Sequence, residues 1–135
     1  MTSAANSTFL RRVLLLDATA SGGMGVLFLL AASPLESRLG LPAPLLRGVG
    51  LFLIPFAAFL VWLAPRAGEL QRVVQWIAAG NVLWIVASGL LLLSGRVDPT
   101  PFGTAFLLLQ AAVVAVFAYL ENQRARTFAA KAAAS

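Results

Sequence analysis

The chain has 135 residues, of which 60% are hydrophobic and only 11% charged, with a formal net charge of +5. A soluble domain carries about 25% charged residues, so this chain has too little charge to cover a water-facing surface. Its mean hydropathy of +0.89 indicates a lipid bilayer as the surrounding medium. Without cysteine or histidine it has no disulfides and none of the usual thiolate, imidazole or haem ligands, and we expect no metal and no cofactor.

Four apolar segments are long enough to cross a membrane, which takes roughly 20 residues. They cover about 9–32, 45–64, 70–94 and 100–121, and a polar, alanine-rich tail follows at 122–135. Backbone groups in hydrocarbon must be satisfied within the protein, so these spans are helices, and the short alternating segments of a β-barrel are missing. The sequence therefore predicts a single-domain, all-α membrane protein, an antiparallel up-down four-helix bundle with short loops.

The first span follows Arg11 and Arg12 directly. A signal peptide is the competing interpretation, because a basic pair precedes an apolar stretch that ends in the small residues of Ala31–Ser33. The length of the stretch and the acid Asp17 within it favour a span that is retained.

Residues typical of a helix start and a helix end lie between the first two spans. Ser33 is suited to an N-cap, Pro34 to the first helical position and Glu36 to the returning carboxylate of a capping box, while Gly40 suits a left-handed helix end. These signals predict a short helix at the membrane surface.

Two further positions affect the later spans. Pro55 falls inside the second span, where proline removes one backbone hydrogen bond. Asp98 or Thr100 is expected to cap the fourth span.

Basic residues are distributed unevenly over the two sides of the predicted bundle. One side carries seven, namely Arg11, Arg12, Arg66, Arg72, Arg124, Arg126 and Lys131, and the other carries three, namely Arg38, Arg47 and Arg96. Because cytoplasmic loops hold the excess of Lys and Arg, we expect both termini in the cytoplasm and the spans in a bacterial inner membrane. Spread around the span ends, these charges favour anionic lipid headgroups as partners and argue against nucleic acid.

Asp17 is the one acid expected inside the hydrocarbon, about 7–8 Å deeper than Arg12 along the helix axis. A functional interpretation makes it a proton-binding or cation-binding carboxylate, whereas a structural one pairs it with Arg66 or Arg72. Ser21 lies one turn further along on the same helix face. The four other acids are expected at span ends or in loops, so no pair of carboxyl groups at one depth is predicted.

Small residues surround Asp17 on the first span. Ala18 and Gly22, and likewise Ser21 and Gly25, are four positions apart, a spacing that lets another helix approach closely. The sequence therefore predicts a helix-packing face here, and association with a second copy or with a larger membrane complex is one use for it.

The third and fourth spans carry amides deep in the apolar region. Asn81, Trp84 and Ser88 share one face of the third span, and Gln110 lies on the fourth at a similar depth to Asn81. One interpretation is a structural hydrogen bond between the two amides across the helices. The alternative is a cradle for a quinone, lipid or pigment formed by Asn81, Trp84 and Gln110.

Four short spans, an acid in the first and Trp84 in the third resemble the small multidrug resistance transporters. The resemblance implies a dimer in which Asp17 exchanges protons for cationic drugs. The stretch "LDATASGGMG" does not reproduce the first-span pattern of that family.

No set of nucleophile, base and orienting residue is visible, so we expect a protein that is not an enzyme. The favoured hypothesis is an accessory subunit or homo-oligomer that acts through helix packing. The alternatives are a small dimeric proton-coupled transporter or channel using Asp17, and a lipid- or quinone-binding module.

Overall fold

The computed structural model describes residues 3–135, apart from the side chains of residues 3, 128 and 129, and it confirms the predicted all-α bundle. Its helices are α1 (Ser3–Leu30), α2 (Ala32–Leu39), α3 (Ala43–Leu63), α4 (Gln71–Leu93) and α5 (Pro101–Ala134), with one 3-10 turn at Ala64–Arg66. All except the short helix α2 are long and apolar enough to cross a membrane. The protein is therefore a small multi-pass membrane protein with a short helix between its first two spans.

The first and last helices extend well past the predicted spans. α1 begins at Ser3 instead of near residue 9, and α5 continues through the predicted polar tail to Ala134. The guanidinium of Arg124 joins the two extensions, because its Nη1 donates to Asn6 Oδ1 at 3.0 Å and its Cζ lies 4.3 Å from the centre of the Phe9 ring. The start of α1 and the C-terminal part of α5 therefore lie at the same end of the bundle, called here the terminal end.

Close backbone packing joins α1 to α3. A Cβ atom added to Gly50 would lie 2.8 Å from the carbonyl oxygen of Gly25, and one added to Gly22 would lie 3.3 Å from the Cβ of Ala57. Ala18, on the same stripe, is buried. The small-residue face of the first span is thus covered by α3 of the same chain, and any association with another protein uses a different surface.

The remaining contacts complete the bundle. α4 packs along α5, and α1 also contacts α5. The α1–α3 pair and the α4–α5 pair therefore meet mainly through α1 and α5. Phe52 of α3 stacks on Trp84 of α4 with ring centres 6.2 Å apart. The largest buried cluster lies toward the terminal end and includes Leu10, Leu14, Leu60, Leu63 and Val74.

At the opposite end, the C-terminus of α2 is fastened to the start of α5. Gly40 ends α2 in the predicted left-handed conformation, with φ of 70°. Of the two predicted N-caps, Asp98 and Thr100, the structure has Thr100 at the start of α5. Its Oγ1 accepts from Gly103 N at 3.0 Å and donates to Arg38 O at 2.6 Å, and its backbone N donates to Leu39 O at 3.0 Å. These bonds satisfy carbonyls that the end of a helix leaves free.

The predicted start of the short helix was wrong by two residues. Ser33 lies inside α2, and the residue before the helix is Ala31, which makes no side-chain cap. The reason is that α1 and α2 are separated by this residue alone, and its carbonyl accepts from Leu35 N at 3.0 Å. The first turn of α2 therefore continues almost directly from α1 and needs no capping box.

Candidate functional site

Two groups of polar side chains cross the interior between the helices. The acidic layer consists of Asp17 and Ser21 from α1, Asn81 from α4 and Glu121 from α5. The neutral layer, farther from the terminal end, consists of Trp84 and Ser88 from α4 and Gln110 from α5. Together they contain all six polar positions predicted inside the membrane, and they add Glu121.

In the acidic layer, one amide nitrogen joins two carboxyl groups. Asn81 Nδ2 donates to Asp17 Oδ2 at 3.2 Å and to Glu121 Oε2 at 3.1 Å. Ser21 Oγ donates to Asp17 Oδ1 at 3.0 Å. Asp17, Asn81 and Glu121 are 2%, 7% and 0% exposed, so this network is closed off from the surface.

The direction of the helices explains how these side chains meet. Every Cα–Cβ bond in a helix tilts toward the helix N-terminus. α5 runs toward the terminal end, so the side chain of Glu121 reaches inward, whereas α1 and α4 run away from that end, so Asp17 and Asn81 reach outward. The layer therefore forms although Glu121 is only three residues from Arg124.

The donors that contact the two acids are neutral side chains. Among the described residues, Glu121 Oε1 is buried without any hydrogen-bond partner. Two ionised carboxylates that share one donor repel each other strongly in a medium of low dielectric constant. A proton on either carboxyl group would remove that repulsion.

The two arginines predicted as possible partners of Asp17 lie elsewhere. Arg66 Nη1 donates to the carbonyl oxygen of Trp62 at 2.6 Å, and its Cζ lies 4.7 Å from the centre of that residue's ring. Arg72 is exposed near the start of α4. Both guanidinium groups remain at the polar end of their helices, where they avoid the desolvation that an ion pair with Asp17 would require.

In the neutral layer, each polar group has a neutral partner. Trp84 Nε1 donates to Gln110 Oε1 at 3.0 Å, and Gln110 Nε2 donates to Ser88 Oγ at 3.4 Å. Ser88 Oγ in turn donates to the carbonyl oxygen of Trp84 at 2.8 Å. The predicted bond between Asn81 and Gln110 is replaced by these contacts, because Glu121 takes the partner position next to Asn81.

The sequence interpretation missed Glu121, which it placed at the end of the fourth span. The spacing of the polar residues along α5 indicates where its side chain lies. Gln110 and Glu121 are eleven residues apart, close to three full turns, so they project from the same side of the helix. A helix whose inner face carries Gln110 therefore carries Glu121 on that face as well.

The three residues of the predicted ligand cradle do not form one site. The polar groups of the proposed ligand cradle, Asn81, Trp84 and Gln110, are divided between the layers and are hydrogen-bonded to other side chains. Over the described part of the chain, no group of three or more acidic, histidine or cysteine side chains has the arrangement of a metal site.

Comparison of the chain with known protein families, with curated proteins and with solved structures gives no match. The resemblance to small multidrug resistance transporters therefore stays limited to the four spans, Asp17 and Trp84. Trp84 belongs to the neutral layer and Asp17 to the acidic one, so they share no hydrogen bond among those described. The geometry of the two layers is the basis for a functional proposal.

Proposed function

We propose that this protein is a non-enzymatic, proton-coupled transporter of the bacterial inner membrane. In this proposal, Asp17 and Glu121 bind one exchangeable proton between them. The observation that carries the proposal is their convergence on Asn81 Nδ2, at 3.2 and 3.1 Å, with Glu121 Oε1 buried and without a hydrogen-bond partner among the described residues. Ionisable residues within membrane spans are expensive to bury and commonly mark proton and ion pathways.

The neutral layer supports a functional role for the acids. It joins α4 to α5 by hydrogen bonds between neutral side chains, Trp84 to Gln110 and Gln110 to Ser88. Hydrogen bonding between helices of this bundle therefore does not require a carboxyl group. Two acids placed together cost more to bury than amides would, and proton exchange is a use that amides cannot serve.

The charge balance of the acidic layer suggests the class of cargo. With one shared proton the pair carries a single negative charge, and loss of that proton leaves two adjacent negative charges. A cation that enters as the proton leaves restores the original charge. Exchange of a proton for a monovalent cation is therefore the coupling that this site fits, with Ser21 and Asn81 holding the two carboxyl groups in place.

Reconstituted vesicles provide the test. The full chain is placed in proteoliposomes containing a pH-sensitive dye, and sodium or tetraphenylphosphonium is added outside. We expect one of these cations to drive proton movement, and Asp17→Asn and Glu121→Gln to lower the rate at least tenfold. Trp84→Phe in the neutral layer is the matched control and keeps the rate. Proton movement that is absent from the wild type, or undiminished in Glu121→Gln, contradicts the proposal.

The orientation of the chain in the membrane is a separate part of the proposal. Seven of the ten basic residues belong to the terminal end or to the short turn between α3 and α4, which favours a cytoplasmic position for both termini. A reporter fused after Ser135 that is active only in the periplasm would reverse this orientation.

The second candidate function is association with a second copy through α4. Trp76, Gly80, Leu83, Ala87 and Leu90 follow one another at spacings of four and three residues and lie on the outer side of the helix. A Cβ added to Gly80 would meet no atom within 4 Å. Alternating small and large residues at this spacing are self-complementary in a left-handed helix pair.

Cysteine cross-linking tests this candidate, because the chain has no cysteine of its own. Leu83→Cys is expected to give disulfide-linked dimers in native membranes. Leu51→Cys, on the outer side of α3 and equally exposed, is the control and is expected to stay monomeric. Equal cross-linking of the two variants, or none in either, contradicts the dimer.

A further inference from the structure

A groove of about 590 Å³ runs along the outer side of the α4–α5 pair. Its floor includes the buried residues Ala78 and Ala118, and its sides include the exposed residues Ala79, Val82 and Ala115. Because alanine side chains are short, the two helices leave an apolar channel between them that is open toward the bilayer. A channel of this shape fits a hydrocarbon chain.

One end of the groove is polar. Gln75 of α4 and Asn122 of α5 line it with half-buried amides, and Tyr119 contributes a hydroxyl group that accepts from Gln123 Nε2 at 3.1 Å. Because α4 begins and α5 ends on this side, the polar end of the groove faces the terminal end of the bundle. Aromatic residues such as Tyr119 are typical of the depth at which lipid headgroups begin.

Two arginines lie just beyond this polar end, one on each helix. Arg72 is three residues before Gln75, or about 4.5 Å along the axis, and Arg126 is four residues after Asn122, or about 6 Å. Both arginines are exposed. The acid Glu121, next to Asn122, is turned into the acidic layer, so it does not offset these charges at the surface, whereas Glu69 in the turn before α4 is exposed.

We infer that this groove binds one anionic phospholipid, with an acyl chain over Ala78 and Ala118 and the phosphate between Arg72 and Arg126. Basic pockets between membrane helices are suited to anionic headgroups. A zwitterionic phospholipid offers the same acyl chain but no net charge. The site is separate from the carboxyl pair and borders the exposed α4 face around Leu83, and its test requires neither proposal about them.

Native mass spectrometry of the full chain, released from nanodiscs that contain equal amounts of phosphatidylglycerol and phosphatidylethanolamine, tests this site. We expect one phosphatidylglycerol molecule to be retained on the wild type. Each arginine near an anionic headgroup contributes about fivefold in affinity, so Arg72→Gln combined with Arg126→Gln is expected to weaken binding about 30-fold. Ala79→Phe, which fills the groove without changing charge, is expected to remove the bound lipid.

A matched variant separates a site from general attraction to anionic lipid. Arg38→Gln combined with Arg96→Gln removes the same charge from exposed positions on the other side of the bundle and is expected to leave binding within twofold of the wild type. An equal loss in this control, retention of phosphatidylglycerol by Ala79→Phe, or equal retention of both lipids by the wild type overturns the inference.

Discussion

The acidic and the neutral layers solve the same structural problem in different ways. Each joins α4 to α5 by hydrogen bonds inside an apolar bundle, with Asn81 central to one layer and Trp84 to the other. In the neutral layer, donors and acceptors are matched. In the acidic layer, two carboxyl groups depend on one shared amide and on Ser21, and a buried carboxyl oxygen of Glu121 has no partner in the described structure.

This difference shows where the bundle departs from what stability alone requires. Interhelical hydrogen bonds in membranes contribute about 0.6 kcal/mol on average, and neutral groups are sufficient to make them. Removing a donor that two buried carboxyl groups share leaves both without compensation and costs several kcal/mol. The two layers should therefore respond differently to the same kind of substitution.

Asn81→Leu is expected to have the largest effect. It removes the donor shared by Asp17 and Glu121, and it leaves both carboxyl groups facing each other in the interior. We expect a loss of about 3 kcal/mol or more in the free energy of unfolding. Steric trapping or reversible denaturation in mixed micelles measures this quantity.

Gln110→Leu is the matched control in the neutral layer. It removes the hydrogen bonds that Gln110 makes with Trp84 Nε1 and Ser88 Oγ. The expected loss in the free energy of unfolding is about 1 kcal/mol. Equal losses for the two leucine variants would show that the acids add nothing to the response, and the contrast between the layers would fail.

The substitutions Asp17→Asn and Glu121→Gln each replace one carboxyl group of the acidic layer by a neutral amide. Because an amide can donate to the remaining carboxyl group, we expect each single variant to be more stable than the wild type by about 1–2 kcal/mol. The same denaturation experiment measures the change. A loss of similar size would mean that the charges stabilise the bundle, and it would contradict a proton-exchanging site.

The sequence was sufficient to predict the bundle but not the composition of the acidic layer. Long apolar runs determined the spans, and Gly40 and Thr100 were recognisable because left-handed ends and N-caps have strong residue preferences. Asp17 and Asn81 were visible as polar residues among apolar neighbours. Glu121 was not, since it begins a polar stretch and looked like the end of a span.

Two further features depended on tertiary contacts that a single sequence does not show. In the tail after Glu121, Arg124 contacts Asn6 and Phe9 on α1, a pairing more than one hundred residues apart. The small residues around Gly25 indicated close helix packing, but their spacing is the same whether the partner is α3 or a second chain. Only the fold distinguishes these cases.

Trp84→Phe reduces the neutral layer by one hydrogen bond. Phenylalanine keeps an aromatic ring to stack on Phe52 and loses the donor to Gln110 Oε1. We expect a loss of about 1 kcal/mol in unfolding free energy and no change in proton movement. A stability loss as large as that of Asn81→Leu, or a loss of proton movement, would place Trp84 functionally with the acidic layer.

Ser21→Ala is expected to have the smallest effect in the acidic layer. Ser21 is half-buried, and its hydroxyl gives Asp17 Oδ1 one of the two hydrogen bonds that the carboxyl group receives from side chains. We expect a loss of about 0.6 kcal/mol in unfolding free energy, the average for such contacts, and a measurable change in proton movement because the acceptor strength of Asp17 changes.

Thr19→Ala is the control for the loss of a hydroxyl group on α1. Thr19 is exposed and donates to the carbonyl oxygen of Leu15 in its own helix at 2.8 Å, so its removal should leave both stability and proton movement unchanged. If Ser21→Ala behaves in the same way as Thr19→Ala in both measurements, then the serine does not tune the carboxyl pair. The active part of the layer would then reduce to Asp17, Asn81 and Glu121, the three side chains joined through one amide nitrogen.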